Sequence, residues 1–427
     1  MSPRRVLVAT YYYPPQPGSG SSRWAAMVSH LRRAGHQVTV VTAAPPGHRP
    51  GREGDVLRTA NLNSSPLLRR VLLRSKPAAG ATAGVPAAGG TLPPLLWKGI
   101  VPDPWLVTWN PTAWRAIRRL HAERPYDALI TSSPAHSTHL LGLWFGRDRP
   151  AWIADFRDGW GFEPLLPPFP TPPQRALDRS LERRVVQGAD VVVAVTRPIA
   201  EDLGVRLGVA AEHLPNGWDP EQTVAPPPAP ARPEGHLRLL HAGAMSGAWG
   251  RNPRALLIAL RRLLAERPEA AGRIELVLAG NLEPADRAML DEFADLEGVI
   301  CHLGYIPREQ ALALQRAADL LVLITSRNRG EATGKLYEYM AAARPVLALA
   351  EGNEAARIVR ETNIGVAVPP EDAEAIAAVL LRALDGELQR SYAPRGIEAY
   401  AYPALAERMT ALLETAIERR ARARGAV

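Results

Sequence analysis

Short apolar runs rich in β-branched residues alternate with stretches of helical spacing, and the alternation holds along most of the chain. Such a rhythm predicts β-α-β units built on parallel sheets. It occurs in two blocks. The first contains RVLVAT, QVTVVTA, DALITSS, AWIADF and VVVAVT, and ends near LPNGWD, Leu214 to Asp219. The second contains LRLLHAG, IELVLAG, VICHLG, LLVLIT and PVLALA. Between them TVAPPPAPARPEGH, Thr223 to His236, reads as an extended proline-rich linker. The expected organisation is a first α/β domain over 1–222, the linker over 223–236 and a second α/β domain over 237–395. A C-terminal helix over 396–427 follows, which can cross back to the first domain.

One region breaks the rhythm. From Asn61 to about Leu96 the segment SSPLLRRVLLRSKP precedes the low-complexity AAGATAGVPAAGG. In the first part Leu67, Leu68, Val71, Leu72 and Leu73 alternate with Arg69, Arg70, Arg74 and Lys76. That pattern suits a short basic helix at an anionic membrane surface, or else a helix packed on the first domain with solvated arginines.

Composition narrows the classes. A chain of 427 residues with 46% hydrophobic and 22% charged residues is long enough for full-sized cores and too apolar for wholesale disorder. The single cysteine, Cys301, excludes an internal disulfide and a cysteine-based metal cluster. The opening apolar run is too short for a signal peptide and no run of transmembrane length follows, so a cytoplasmic setting is expected. The net charge of +8 raises the question of nucleic acid, but the basic residues are spread along the chain without a binding motif. No nucleic-acid partner is expected.

Five stretches could carry chemistry. The first, YYYPPQPGSGSSRW, follows the first strand and leads into a helix near Ser21. Gly18 and Gly20 there lie at the carboxyl edge of the sheet, where backbone can approach a ligand and a helix start offers free N–H groups. The second, TSSPAHSTHLLG, sets His136 at a helix start and His139 one turn further on. A shared metal would need a further ligand that is not at hand, and packing is the other role for His139. The third, WIADFRDGWG, brings Asp155, Arg157 and Asp158 to a strand's carboxyl end, as catalytic groups or as an ion-paired structural cluster.

The fourth, LHAGAMSGAWGRNPRALL, opens the second domain, with Asn252 and Pro253 starting a helix and Arg251 beside it, placed to hold phosphate. The fifth, SRNRGEATGKLYEYMAAARPVLAL, runs from a strand end through Glu331 into a helix near Gly334. Lys335 and Glu338 share one face of that helix. The helix start with Lys335 suits a diphosphate, and a carboxylate one turn on can accept from a ribose diol. A plain surface ion pair is the other reading of those two residues.

As an ordered set these stretches resemble the retaining glycosyltransferases of family 4, which have the GT-B fold. The resemblance implies two Rossmann-like, doubly wound parallel-sheet domains facing across a cleft. It implies that Gly18 and Gly20 form the loop facing donor diphosphate and acceptor, and that His136 is an active-site histidine near the donor sugar; Asp155 and Arg157 of the third stretch are the other catalytic candidates. It places Asn216 and Asp219 in a turn near the domain junction. It assigns Glu338 to the nucleotide ribose and the start of its helix, at Gly334 and Lys335, to phosphate; Arg251 and Glu331 are this chain's own further candidates for donor binding. Two positions depart from the pattern: Gly330 stands where the family's first glutamate is expected, with Glu331 next to it, and Ala244 stands in place of an arginine.

The implied reaction is transfer from a nucleoside-diphosphate sugar to a hydroxyl acceptor, with retention of configuration. No metal or other cofactor is expected, since the chain has no Asp-x-Asp motif. The partners implied are the nucleotide sugar and a glycan, lipid-linked or small-molecule acceptor, with peripheral membrane contact left open. A non-catalytic carbohydrate-binding relative and a nucleotide-sugar epimerase are the competing classes.

Overall fold

The structure, a computed structural model, describes residues 2–16, 18–45, 47–61, 101–103, 107–164, 168–221, 235–245 and 250–425. The basic amphipathic segment and most of the proline-rich linker lie outside the described residues. Two compact α/β units are present. The first comprises Met1–Pro215 with Tyr402–Val427, the second Asn216–Ala401.

The first unit contains β1 (Arg5–Thr10), β2 (Gln37–Ala43), β3 (Gly51–Glu53), β4 (Val56–Thr59), β5 (Ala128–Ser132), β6 (Ala151–Phe156), β7 (Val191–Ala194) and β8 (Ala211–His213). Their order is β3-β4-β2-β1-β5-β6-β7-β8, parallel except for the β3-β4 pair. The central strands are apolar on both sides because both faces are covered. Leu7, Ala9, Leu129 and Phe156 enter one core. Their neighbours Val6, Val8, Ile130 and Ile153 enter the other, with Trp24, Met27 and Leu31 of helix Ser19–Arg33.

The C-terminal helix, Tyr402–Gly425, belongs to this first unit. Leu405, Met409 and Leu413 repeat at helical spacing and complete the second of these cores. Arg4 grips Glu414 on its flank through two hydrogen bonds of 2.8 and 2.6 Å.

The second unit contains β9 (Leu237–Ala242), β10 (Ile274–Ala279), β11 (Ile300–Gly304), β12 (Leu320–Ile324), β13 (Val346–Leu349) and β14 (Gly365–Val368). All are parallel, in the order β11-β10-β9-β12-β13-β14. Leu239 faces the core shared with helix Arg254–Glu266, and Leu240 faces that shared with helix Gly334–Ala342.

The residues at the unit boundary show why the first unit ends at Pro215. Leu214 is fully buried in the first unit, and its carbonyl and that of Pro215 accept from the buried Arg23. Three residues on, the Trp218 N–H donates to the Tyr400 carbonyl and its indole to that of Ile397, which ties this stretch into the second unit.

In both sheets the strand order reverses beside a central strand: between β1 and β5, and between β9 and β12. Ligands of doubly wound sheets bind at the carboxyl ends of such strand pairs. Among the described residues no helix is long and apolar enough to cross a membrane.

Candidate functional site

At the first switch point, Gly18 caps the helix Ser19–Arg33, which begins two residues before the expected start. Its φ of 125° is a conformation that favours glycine, and a Cβ there would meet nothing within 4 Å. Gly20 has a different cause. A Cβ at Gly20 would lie 2.0 Å from Arg157 Nη1, so the glycine leaves room for an arginine of the same unit.

Arg157 is largely buried, its backbone N–H donating to Ser133 Oγ at 3.0 Å, with Asp158 and Asp155 balancing its charge. Asp155 is the penultimate residue of β6. It lies on the same face of β6 as Ile153, is completely buried, and accepts from Ser132 Oγ at 2.7 Å and Arg23 Nη2 at 3.3 Å. Strand alternation turns it under the helix that carries Arg23, where it is a buried counter-ion.

His136 opens a short 3-10 turn, His136–His139, and its ring stacks on Trp160 with centroids 5.1 Å apart and planes at 17°. His136 Nδ1 is buried without a hydrogen-bond partner. Trp160 is held in turn by Asp178, which accepts from the indole N–H at 2.9 Å. Burial pushes the Asp178 carboxyl up, while the Trp160 hydrogen bond and His136 pull it the other way. Trp160 lies in the third stretch, where its type alone does not reveal the stacking partner, and Asp178 sits in a helix without a recognisable motif. His139 is a packed residue: it is fully buried, stacks on Phe156 at 4.5 Å and meets Thr131 Oγ1 at 2.9 Å through Nδ1. Burial holds its ring well below the usual imidazole range.

At the second switch point the loops after β9 and β12 meet. Helix Gly334–Ala342 starts with Thr333 at its N-cap, as expected within a residue. Lys335, in its first turn, runs over Gly243: a Cβ on that glycine would meet the lysine Cε at 2.2 Å and Nζ at 2.3 Å. Burial first, and then Arg251, lower the lysine pKa to about 8, against the pull of Glu338 and Glu331. The buried Thr333 Oγ1 has no hydrogen-bond partner. An anion set here would find the free helix N–H groups, the Lys335 ammonium and that hydroxyl.

Arg251 is positioned by Glu331, whose Oε1 accepts from Arg251 Nη2 at 2.6 Å and Nε at 3.1 Å. Glu331 Oε2 accepts from both the Ser326 backbone N–H and its hydroxyl. Both oxygens of Glu331 thus accept hydrogen bonds within the protein. The helix beyond Arg251 begins at Arg254, one residue later than expected, with Asn252 Oδ1 accepting from the Arg254 N–H at 3.0 Å.

Glu338, one turn into its helix, accepts from Arg308 Nη2 at 2.8 Å and from Gln315 Nε2 at 3.4 Å. Both partners come from the neighbouring helix Arg308–Ala317 and were missed in the sequence. Asp219, expected in the junction turn, accepts from the Glu221 N–H at 3.0 Å.

Comparison with known proteins accounts for both units. Residues 18–217 match the family described as "Glycosyl transferase 4-like domain", and residues 236–386 that described as "Glycosyl transferases group 1". A phosphatidyl-myo-inositol mannosyltransferase of Mycolicibacterium smegmatis is 25% identical over 323 residues, 73% of this chain and 75% of that protein. Among solved structures, sucrose-phosphate synthase from Thermosynechococcus elongatus superposes with a TM-score of 0.61 at 18% identity, covering 96% of this chain and 98% of that one. The N-terminal domain of Candida albicans trehalose-6-phosphate phosphatase gives 0.65 at 14%, covering 96% and 97%. With its two parallel-sheet units and both family matches in order, the chain belongs to the group 1 glycosyltransferases of family 4, transferase enzymes of the GT-B fold.

Proposed function

We propose that this transferase moves a sugar from a nucleoside-diphosphate sugar to a hydroxyl acceptor, with retention of configuration and without a metal ion. The observation that carries the reading is Lys335 lying over Gly243 at the start of a helix, with Arg251 held beside it by Glu331. As the glycosidic bond breaks, positive charge grows on the sugar and negative charge on the leaving diphosphate. Fixed cations and a helix start lower the energy of that negative charge without reorganising. Lys335, Arg251 and the N–H groups of Gly334 and Lys335 supply them, in the role a divalent ion has elsewhere. Glu338 receives the ribose diol. The acceptor oxygen attacks from the face the diphosphate leaves, and the leaving phosphate takes its proton.

The acceptor belongs to the first unit, with His136 and the Gly18 loop at its carboxyl edge. The mannosyltransferase relative makes a nucleoside-diphosphate mannose the first donor to try, and the basic sequence Ser64–Pro77 favours a lipid-linked acceptor at the cytoplasmic face of a membrane. The test is a panel of UDP-, GDP- and ADP-sugars with EDTA present, following nucleotide release and the anomeric configuration of the product by NMR. Release from one donor by the wild type and none by Lys335→Ala supports the reading. Activity that needs added magnesium, or an inverted product, overturns the corresponding part of it. Conversion of the donor sugar without any acceptor would identify an epimerase instead.

A further inference from the structure

His241, the penultimate residue of β9, lies beneath the candidate diphosphate site and is 1% exposed. Both of its ring nitrogens face backbone carbonyls: Nδ1 lies 3.0 Å from the Val322 oxygen and Nε2 3.0 Å from the Ala244 oxygen. A neutral imidazole has one N–H, so it can donate to one carbonyl only and must turn a lone pair towards the other. The imidazolium donates to both. Geometry therefore favours the charged ring, while its surroundings oppose it.

The opposing groups are identifiable. Burial, Lys335 and Arg251 disfavour a further positive charge, and together they bring the ring to about 4 against the pull of the two carbonyls. The carboxylates of Glu331 and Glu338 act on Lys335. The Tyr339 hydroxyl accepts from the Ala242 N–H at 3.3 Å and shares the Val322 carbonyl, also at 3.3 Å; burial keeps it protonated. Lys335 and Arg251 are the two cations assigned above to the diphosphate. A bound diphosphate would offset their charge and remove much of what keeps the ring neutral.

We infer that His241 is a positioning residue of the diphosphate site that takes up a proton from solvent when the diphosphate binds, fixing the loop at Ala244 through two donated hydrogen bonds. The inference rests on the reading of Lys335 and Arg251 as the diphosphate site. A proton taken up on binding means that affinity rises as pH falls, by up to about tenfold per pH unit between the free and bound ring values.

Side-chain nitrogen NMR of the full chain labelled in its histidines reads the ring itself and is blind to protons on the nucleotide. The probes are UDP and GDP, and the His241 signal is assigned by its absence from His241→Asn or His241→Gln, whichever folds. The expected result at pH 6.5 is one protonated nitrogen in the free protein and two when nucleotide saturates the site. A ring that stays neutral with nucleotide bound overturns the proposal. The folded variant should also bind about tenfold more weakly and lose that part of the pH dependence, and unchanged binding counts against the proposal. If Lys335→Ala leaves nucleotide affinity intact, the diphosphate reading itself fails and takes this inference with it.

Discussion

The side chain of Lys335 occupies the place where residue 243 would carry its Cβ, which would come within 2.3 Å of the lysine Nζ. Three further observations lock this arrangement. Gly243 has a φ of +124°, its N–H donates to the Ala279 carbonyl at 2.6 Å, and a Cβ on Gly280 would strike the Gly243 oxygen at 2.4 Å. The glycine is needed for its backbone angle and again for the lysine that crosses it.

Gly243→Ala should therefore push Lys335 off its track and strain the loop, at a stability cost of about 1–3 kcal/mol. Nucleotide affinity should fall about tenfold or more, because the cation no longer meets the phosphate in a fixed position. Calorimetric titration with UDP and GDP beside thermal unfolding separates the two effects. A variant that is destabilised but binds normally would show that Lys335 is not a phosphate ligand.

The lowered Lys335 value sets a pH dependence whose sign is defined. The ammonium is charged in the free enzyme below about 8, and a diphosphate can only raise that value by preferring the charged form. The Lys335 contribution to nucleotide affinity should be full below pH 8 and decline above it, approaching tenfold per pH unit until the value in the complex is reached. Lys335→Arg keeps its charge across this range and should flatten that limb. Dissociation constants measured from pH 7 to 9.5 for both proteins decide the point; identical slopes would assign the titration to another group.

Arg308 stands at the first position of its helix, where a positive charge is unfavourable to the helix dipole, and is held there by Glu338. The pair is exposed, 41% at the arginine and 28% at the glutamate, so its worth is small. If a ribose diol needs both oxygens of Glu338, it must displace Arg308. Arg308→Ala should then bind UDP or GDP about two- to fivefold more tightly, whereas Glu338→Ala should lose most binding. Weaker binding by Arg308→Ala would mean that the arginine contacts the nucleotide instead of competing with it.

How much of this could be read beforehand differs between fold and site. The strands β1, β2, β5, β6, β7, β9, β10, β11, β12 and β13 were legible because each lies in a run rich in apolar residues, longer than the strand itself in the shorter cases. The short β3, β8 and β14 were not, since three or four residues such as Gly365–Val368 carry no period of their own. At the site, Lys335 and Glu338 were legible from helical spacing after a strand end. The burial of Asp155 was not, because a strand buried on both faces does not reveal which face a given residue enters. Glu331 shows a second limit: its proximity to Arg251, 80 residues away, is a product of the strand order. The same holds for Asp178, whose tie to Trp160 links a helix to a loop.

Asp155 and Arg23 supply the last prediction. The pair is 0% and 1% exposed at its two side chains, and Arg23 also donates to the carbonyls of Leu214 and Pro215 where the chain leaves the first unit. Removing one member of a buried pair leaves the other charge uncompensated, at a cost of about 3–5 kcal/mol. Asp155→Asn keeps an acceptor for Ser132, and Arg23 keeps two carbonyls, so its loss should lie at the lower end. Arg23→Met abandons Asp155 and should cost more. Well below the unfolding transition, Asp155→Asn should retain transfer activity within a few-fold, since the side chain has no exposed surface for a substrate to reach. Denaturant unfolding and initial rates on the same preparation test both claims. A variant of unchanged stability with its activity abolished would return Asp155 to the catalytic centre and give the Arg23 pairing a catalytic purpose.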